Sequence, residues 1–314
     1  MNIVKEWLYG TLPEYIIDSV SIQGYSHKLI NKECQDNSLS WQGENHYGII
    51  VCDGHGGEKY IRSAIGSKIA CEVGQEMISG FMAKVEKSGH KIEDDLVRLE
   101  NAIVSAWREK VEAHLKENPL EQDSRYVTLD DSNIKALEKN SIKAYGSTFI
   151  AGVIAMDYCF ILQLGDGNAM LFYSDGSSEM PEELIDEELQ FNVTTSLCNS
   201  DAALSFRHCY RKYAEGSQVI GLTLSSDGVI NCYHTEEAYM GFMNNVFSAY
   251  GEETIEDARS ELLNVLDVLS EKGSGDDLSV AILQKSDFVE CQADDMNSAS
   301  EGTDCFQKGN CEVK

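Results

Sequence analysis

Apolar residues in the first half of the chain recur with the period of an α-helix. Over residues 57–87 and again over residues 96–115, an apolar side chain returns about every four positions, which predicts two long helices with one buried face each. The apolar positions of the two helices are Ile61, Ile65, Ile69, Val73, Met77 and Phe81, then Leu96, Leu99, Ile103, Trp107, Val111 and Leu115. We interpret both stripes as surfaces that pack against a core, not as cofactor sites.

Shorter apolar runs later in the chain predict β-strands. Only short turns separate three of these runs, and we expect an antiparallel meander over residues 147–155, 158–164 and 169–174. Thr235 is placed to cap one further helix, and another over residues 253–272 ends at Gly273. Because strands and helices come in blocks, the sequence predicts an α+β fold, a four-layer α-β-β-α sandwich of two antiparallel sheets flanked by helices.

Length and composition predict one large domain. The chain has 314 residues, 42% of them hydrophobic, and only three prolines, so residues 1–286 can form a single core without an internal linker. Residues 287–314 are acidic and poor in large apolar side chains. We therefore expect a disordered acidic tail.

Charge and cysteine usage exclude several classes of partner. A formal net charge of −28 argues against binding to nucleic acid or to anionic membranes. No apolar run approaches the roughly 20 residues that span a bilayer, and the first residues lack the pattern of a signal peptide. The ten cysteines include no Cys-x-x-Cys pair, which favours reduced thiols over zinc ligation. We expect a cytoplasmic protein.

The stretch from Ile49 to Gly57 carries the strongest chemical signal. An apolar strand delivers Asp53 and His55 into a glycine-rich turn, where a carboxylate can bind a hard cation and an imidazole can exchange protons near neutral pH. By itself the pattern Asp-Gly-His-Gly-Gly also fits a hairpin turn with a solvent-exposed histidine.

Three more aspartates occupy similar places, where apolar strands meet turns. They are Asp166, Asp227 and Asp276, and each by itself fits an ordinary turn. Four such residues at the ends of separate strands predict that their carboxylates converge on one edge of a sheet. Carboxylates gathered there would repel one another, and a divalent metal with oxygen ligands would neutralise them.

The order of these motifs resembles that of the metal-dependent type 2C protein phosphatases over residues 20–286. An upstream Cys34-Gln35-Asp36-Asn37 resembles the acidic pair of that family. The resemblance implies the same four-layer sandwich, with metal ions in a cleft at one end of the sheets. The other motifs that carry it are Asp53-Gly54-His55-Gly56-Gly57, Gly146-Ser147-Thr148, Gly165-Asp166-Gly167, Ser226-Asp227-Gly228 and Asp276-Asp277-Leu278-Ser279-Val280.

The resemblance also implies a centre of two Mn²⁺ or Mg²⁺ ions. Asp53 would bridge both ions, and Asp227 and Asp276 would complete the first site. Two ions about 3.5 to 4 Å apart can activate a water molecule and hold the phosphoryl oxygens for in-line attack.

The remaining roles are implied in the same way. The backbone carbonyl of Gly54 would serve the second ion together with Gln35 or its neighbour Asp36, and Asp166 could help to hold a third, weaker ion. His55 would protonate the departing serine or threonine oxygen as a general acid, a contribution of about 10²- to 10⁴-fold.

Two departures from the family pattern affect metal and substrate binding. Gln35 stands where the family has glutamate, and a neutral amide should hold the second ion less tightly. The arginine that binds the substrate phosphate is missing, since its position is Asn31. His27, Lys28 and Lys32 are nearby candidates for that task, and they also fit the alternative of ordinary polar loop residues.

Three functions are compatible with these observations. The first is hydrolysis of phosphoserine or phosphothreonine on a phosphorylated protein substrate by a monomeric enzyme. The second is an inactive pseudophosphatase that serves as a binding module, which Gln35 and the missing arginine favour. The third is a phosphoesterase that acts on a small molecule, because the phosphate-binding residue is undefined.

Overall fold

A computed structural model describes residues 13–88, 92–185, 194–213 and 218–286. The predicted acidic tail, residues 287–314, lies outside this part, and so do the first 12 residues. None of the described helices is long and apolar enough to cross a bilayer.

Ten strands form two five-stranded antiparallel sheets in the described part of the chain. Sheet A has the order β1 (Tyr15–Ile22), β10 (Leu278–Lys285), β9 (Val219–Ser225), β6 (Asn168–Tyr173) and β7 (Ser178–Glu179). Sheet B has the order β2 (Asn37–Gln42), β3 (His46–Cys52), β4 (Phe149–Ala155), β5 (Tyr158–Leu164) and β8 (Arg207–Lys212).

Within the described residues, four long α-helices cover the sheets and four shorter α-helices lie in connections. The long helices are α2 (Ser63–Ser88), α3 (Glu93–Glu117), α7 (Glu236–Glu252) and α8 (Ile255–Lys272). The short helices are α1 (Tyr25–Leu29), α4 (Ser124–Val127), α5 (Asp131–Lys139) and α6 (Asp227–Ile230).

The period of two along β3 explains the layering. Ile49 and Val51 point into an apolar layer between the two sheets, where they meet residues of sheet A such as Leu222. Ile50, between them, points outward into the cluster that α2 and α3 form over sheet B. A third cluster joins α7 and α8 to the outer face of sheet A. The predicted α-β-β-α sandwich is confirmed.

The helix predictions are also confirmed. Ile103 and Trp107 are fully buried on the predicted stripe of α3, and the Trp107 indole donates a hydrogen bond to the Gly66 carbonyl of α2 at 2.9 Å. Thr235 caps α7, since its hydroxyl accepts a hydrogen bond from the backbone N–H of Ala238 at 3.2 Å.

The predicted three-stranded meander is wrong. β4 pairs with β5 as expected, but β6 leaves sheet B and pairs with β9 of sheet A. Gly165, between β5 and β6, has a φ of +107°, a conformation in which a side chain is strained, and this lets the chain turn across to the other sheet. A short turn does not reveal which sheet the next strand joins. The crossing brings Asp166 to the same end of the sandwich as Asp227.

Candidate metal centre

The aspartates singled out by the sequence lie at one end of the sandwich. Asp53 follows directly after β3, and Asp36 comes directly before β2, whose first residue pairs with the last residue of β3. Asp227 lies two residues after the last residue of β9, and Asp276 lies two residues before the first residue of β10. These two strands are neighbours in sheet A. Since antiparallel neighbours bring a start and an end together, alternate strands deliver these side chains to one edge.

The carboxylates of this cluster interact. The side chains of Asp53 and Asp227 lie next to each other. Burial, together with the negative charges of Asp36, Asp227 and Asp276, raises the pKa of Asp53 well above its ordinary value. Burial and the charge of Asp166 raise the pKa of Asp227 to about 6. The structure thus brings the five predicted carboxylates together, close enough to shift the pKa values of their neighbours.

Two buried oxygen atoms at this centre have no hydrogen-bond donor among the described residues. They are Asp36 Oδ2 and Gln35 Oε1, on side chains that belong to residues only 4% and 6% exposed. Burial raises the pKa of Asp36 to about 7, although hydrogen bonds with Ser226 and Ser279 act in the opposite direction. Unsatisfied buried oxygens beside clustered carboxylates fit divalent cations that take oxygen ligands.

The Gly-Ser-Thr motif fixes the segment that carries Asp53. The Thr148 N–H donates to the Asp53 carbonyl at 2.8 Å, and the Asp53 N–H donates to the Thr148 hydroxyl at 2.9 Å. The His55 N–H donates to the Gly146 carbonyl at 3.1 Å. These hydrogen bonds hold the backbone on both sides of Gly54, so the turn that carries the chemistry is rigid.

Gly54 is required by a close approach between backbones. A Cβ atom on Gly54 would lie 2.5 Å from the Gln35 carbonyl oxygen and 2.9 Å from the Ser63 carbonyl carbon. The Gln35 amide nitrogen donates to the His55 carbonyl at 3.2 Å and also to the Ser63 hydroxyl. Ser63, which the sequence did not single out, therefore orients the Gln35 side chain so that its oxygen stays available.

His55 lies partly exposed beside this centre. Its ring packs edge-on against Tyr60, with 4.8 Å between ring centroids. Burial lowers its pKa to about 4, while the nearby charge of Asp166 raises it and that of Lys59 lowers it further. The imidazole is therefore neutral near pH 7. Donating a proton from it requires a further negative charge next to the ring.

Asp277, next to the predicted ligand Asp276, has a different environment. Its Oδ1 accepts hydrogen bonds from the Gly24 N–H at 2.6 Å and from His27 Nδ1 at 2.9 Å. Its Oδ2 accepts one from the Gln35 N–H at 2.6 Å. The ligand atoms of His27, Asp276 and Asp277 lie within 4.8 Å of one another, but three N–H donors already occupy Asp277. Asp276 is exposed and keeps its carboxylate for the cluster.

The three candidates for phosphate binding have different environments in the structure. Lys28 forms an exposed ion pair with Asp267 at 2.7 Å, and no contact between Lys28 and the carboxylate cluster is found in the part of the chain described. His27 is buried and bound to Asp277. Lys32 instead reaches the Gly56 carbonyl, 3.3 Å from its Nζ, within the turn that contains His55.

The fold is shared with solved phosphatase structures. A bacterial serine phosphatase is similar with a TM-score of 0.56 and 15% identity, over 87% of this chain and 98% of that one. Stp1 from Staphylococcus aureus gives 0.54 and 15%, over 88% and 97%. PppA from Pseudomonas aeruginosa gives 0.54 and 14%, over 88% and 99%. At these identities the likeness shows the fold alone.

Sequence comparison gives the family. No curated protein sequence matches this chain. The family model described as protein phosphatase 2C matches residues 23–267, most of the chain and all but the last of the carboxylates in the cluster. This protein therefore belongs to the protein phosphatase 2C family.

Proposed function

We propose that this protein hydrolyses phosphoserine and phosphothreonine on other proteins, in a reaction that requires Mn²⁺ or Mg²⁺. One observation carries the proposal. The carboxylates of Asp53, Asp227 and Asp276 lie close together beside two buried oxygens that have no donor among the described residues, and this arrangement is costly without a bound cation. Membership of the phosphatase family supports the same reaction class.

The ligand set follows from the oxygens that are available. Asp53 would hold both of the two proposed ions, and Asp227 and Asp276 would serve the first. Divalent ions bound here would activate a water molecule and neutralise the phosphoryl oxygens. The second ion would take the Gly54 carbonyl with Gln35 Oε1 or Asp36 Oδ2.

Two partly exposed residues complete the proposed centre. Asp166 lies near both Asp227 and His55 and would help to hold a third, weaker ion, although its Oδ2 now accepts a hydrogen bond from Thr194. His55 would donate a proton to the departing alkoxide oxygen. A phosphate dianion beside the ring would raise the lowered pKa of His55, which brings the imidazolium within reach at neutral pH.

Phosphate release from a phosphothreonine peptide tests the function. Purified protein should release phosphate with millimolar Mn²⁺ and none with excess EDTA. Asp53→Asn should abolish both release and Mn²⁺ binding measured by calorimetry. Asp267→Asn, which alters an exposed carboxylate on α8, is the matched control and should behave like the wild type.

The neutral side chain of Gln35 favours one alternative, a pseudophosphatase that binds phosphoproteins without hydrolysing them. Tight Mn²⁺ binding without phosphate release from any peptide would support this alternative over the enzyme. A small-molecule phosphoesterase would be indicated by much faster release from small phosphate esters than from phosphopeptides.

A further inference from the structure

The turn after α1 points Lys32 back toward the carboxylate cluster. Asn31 has a φ of +54°, and its N–H donates to the Lys28 carbonyl at 3.3 Å, while the Lys32 N–H donates to the His27 carbonyl at 2.9 Å. These two bonds form a Schellman motif, in which the left-handed residue after the helix end is glycine or, less often, asparagine. Asn31 therefore serves the turn, and Lys32 is the first residue after the reversal.

A short chain of hydrogen bonds holds the Lys32 ammonium group. Lys32 Nζ donates to His27 Nε2 at 3.2 Å and to the Gly56 carbonyl at 3.3 Å. His27 Nδ1 lies 2.9 Å from Asp277 Oδ1, so Nδ1 carries the proton and leaves Nε2 as the acceptor. Asp277 thus fixes the tautomer of His27, and His27 fixes the position of Lys32.

The positive charge of Lys32 is not neutralised by a direct ion pair within the part of the chain that the structure describes. Its two hydrogen-bond partners, His27 and Gly56, are neutral acceptors. Burial lowers the pKa of Lys32, and the more distant charges of Asp277, Asp276 and Asp53 counteract that shift. A half-buried ammonium with neutral partners retains the capacity to bind an anion.

Lys32 also lines a cavity beside the glycine-rich turn that contains Gly56. The cavity has a volume of about 590 Å³ and is bordered by Lys32, Gln35, Gly56, Tyr60 and Arg125, among others. A Cβ atom on Gly56 would lie 3.9 Å from Lys32 Nζ and 4.0 Å from Gln35 Oε1. The cation and the unsatisfied oxygen therefore border the same space above Gly56.

Other nearby cations are occupied or lie elsewhere. Arg125 pairs with Glu33 at 2.6 Å and with Asp123 at 3.1 Å, and Lys28 pairs with Asp267. Lys59 stacks over the Tyr60 ring, 4.9 Å from its centroid, and its charge lowers the pKa of His55. Lys59 is thus the main rival to Lys32.

We propose that Lys32 binds the phosphate group of the substrate and that His27 and Asp277 are its positioning residues, an assignment that rests on the proposed phosphatase function. The substrate class is a phosphate monoester whose dianion would lie above Gly56, between the Lys32 ammonium and the carboxylate-bound ions. The adjoining cavity would take the chain that flanks the phosphorylated residue.

Two measurements test the assignment, the dissociation constant of inorganic phosphate from Mn²⁺-loaded protein by calorimetry, and KM with kcat on a phosphothreonine peptide. Lys32→Ala should raise the phosphate Kd and the peptide KM by about tenfold or more, without weakening Mn²⁺ binding. Lys32→Arg should restore most of the loss. Lys110→Ala, which removes an exposed lysine paired with Glu76, is the matched control.

A third variant separates positioning from folding. His27→Asn can keep a donor for Asp277 but loses the acceptor for Lys32. It should raise KM severalfold with little change in kcat, and adding it to Lys32→Ala should cause no further loss. Additive losses would show that His27 acts through the fold and not through Lys32.

The remaining outcomes decide between the two proposals. An unchanged phosphate Kd in Lys32→Ala, or a loss seen only in Lys28→Ala or Lys59→Ala, would overturn the Lys32 assignment. Phosphate binding that depends on Lys32 in a protein without turnover would support the assignment while contradicting the proposed hydrolysis.

Discussion

The Asp277 carboxylate accepts the backbone N–H of Gln35 at 2.6 Å across 242 positions of sequence. The same carboxylate binds the backbone of Gly24 and the ring of His27. It therefore joins β10 to the loop that presents Gln35 and Asp36 to the carboxylate cluster. Its neighbour Asp276 faces that centre and is exposed, so two adjacent aspartates have separate tasks.

Substitutions at this pair should affect different properties, stability for Asp277 and metal affinity for Asp276. Asp277→Asn replaces one acceptor oxygen with a donor that faces an N–H group, and it should lower the free energy of unfolding by about 2 to 4 kcal/mol. Asp276→Asn removes a charge that raises the pKa of Asp53, so the metal-free protein should keep its stability while its Mn²⁺ affinity falls. Urea unfolding in EDTA and Mn²⁺ calorimetry measure both. Equal stability losses in the two variants would contradict this division.

A methyl group on Gly54 tests the close packing beneath the centre. Gly54→Ala would place Cβ 2.5 Å from the Gln35 carbonyl oxygen, and the two backbone segments would have to separate. We expect a loss of about 1 to 3 kcal/mol in the free energy of unfolding and weaker Mn²⁺ binding. Gly80→Ala is the control, because nothing lies within 4 Å of its Cβ position on α2, and alanine there should stabilise by about 0.5 to 1 kcal/mol. Similar behaviour of the two variants would show that the contact at Gly54 relaxes at little cost.

The sequence predicted the carboxylate cluster better than its surroundings. Asp53 and Asp227 could be found because each ends an apolar strand next to glycine, and this signal is local. The sequence could not show that Lys32 points toward the cluster while Lys28 points away from it, since this difference depends on the left-handed turn at Asn31. Asp277 was missed because its donors come from residues about 250 positions away.

Stability should depend on pH in the protein stripped of metal. The pKa of Asp36 is about 7 and that of Asp227 about 6 in the folded chain, against an ordinary value of 3.8. At these two carboxyl groups the folded chain therefore holds more protons between about pH 4 and 7. This outweighs the one proton that His55 loses on folding because of its lowered pKa, so stability falls as pH rises through this window. In EDTA, the Tm should be higher at about pH 5.5 than at about pH 8.

The control for this pH dependence is Asp36→Asn. The net charge of −28 acts in the same direction and is nearly unchanged by that substitution, so a shallower slope in the variant isolates the centre. Saturating Mn²⁺ should abolish or reverse the trend, because protons and ions compete for the same oxygens. Identical slopes with and without Mn²⁺ would mean that these carboxylates do not bind it.

A glutamate at position 35 tests whether the orphaned oxygen of Gln35 is a ligand. Gln35→Glu adds a negative charge at Oε1, so Mn²⁺ affinity should rise by about tenfold, or roughly 1.4 kcal/mol. The same charge should lower the Tm of the metal-free protein, since it repels Asp36 and loses the amide hydrogen bond to the His55 carbonyl. An unchanged Mn²⁺ titration by calorimetry would show that Gln35 lies outside the coordination sphere.

Removal of the His55 imidazole should slow hydrolysis more for substrates with basic leaving groups than for substrates with weakly basic ones. His55→Ala should leave Mn²⁺ affinity intact. It should slow phosphate release from a phosphothreonine peptide by about 10²- to 10⁴-fold, because the threonine oxygen departs as a strong base that needs a proton. Hydrolysis of p-nitrophenyl phosphate should slow far less, since nitrophenolate leaves without protonation. His234→Ala, an exposed histidine beyond α6, serves as the control. Equal losses on both substrates would assign His55 to binding or orientation, and wild-type rates on the peptide would remove it from the chemistry.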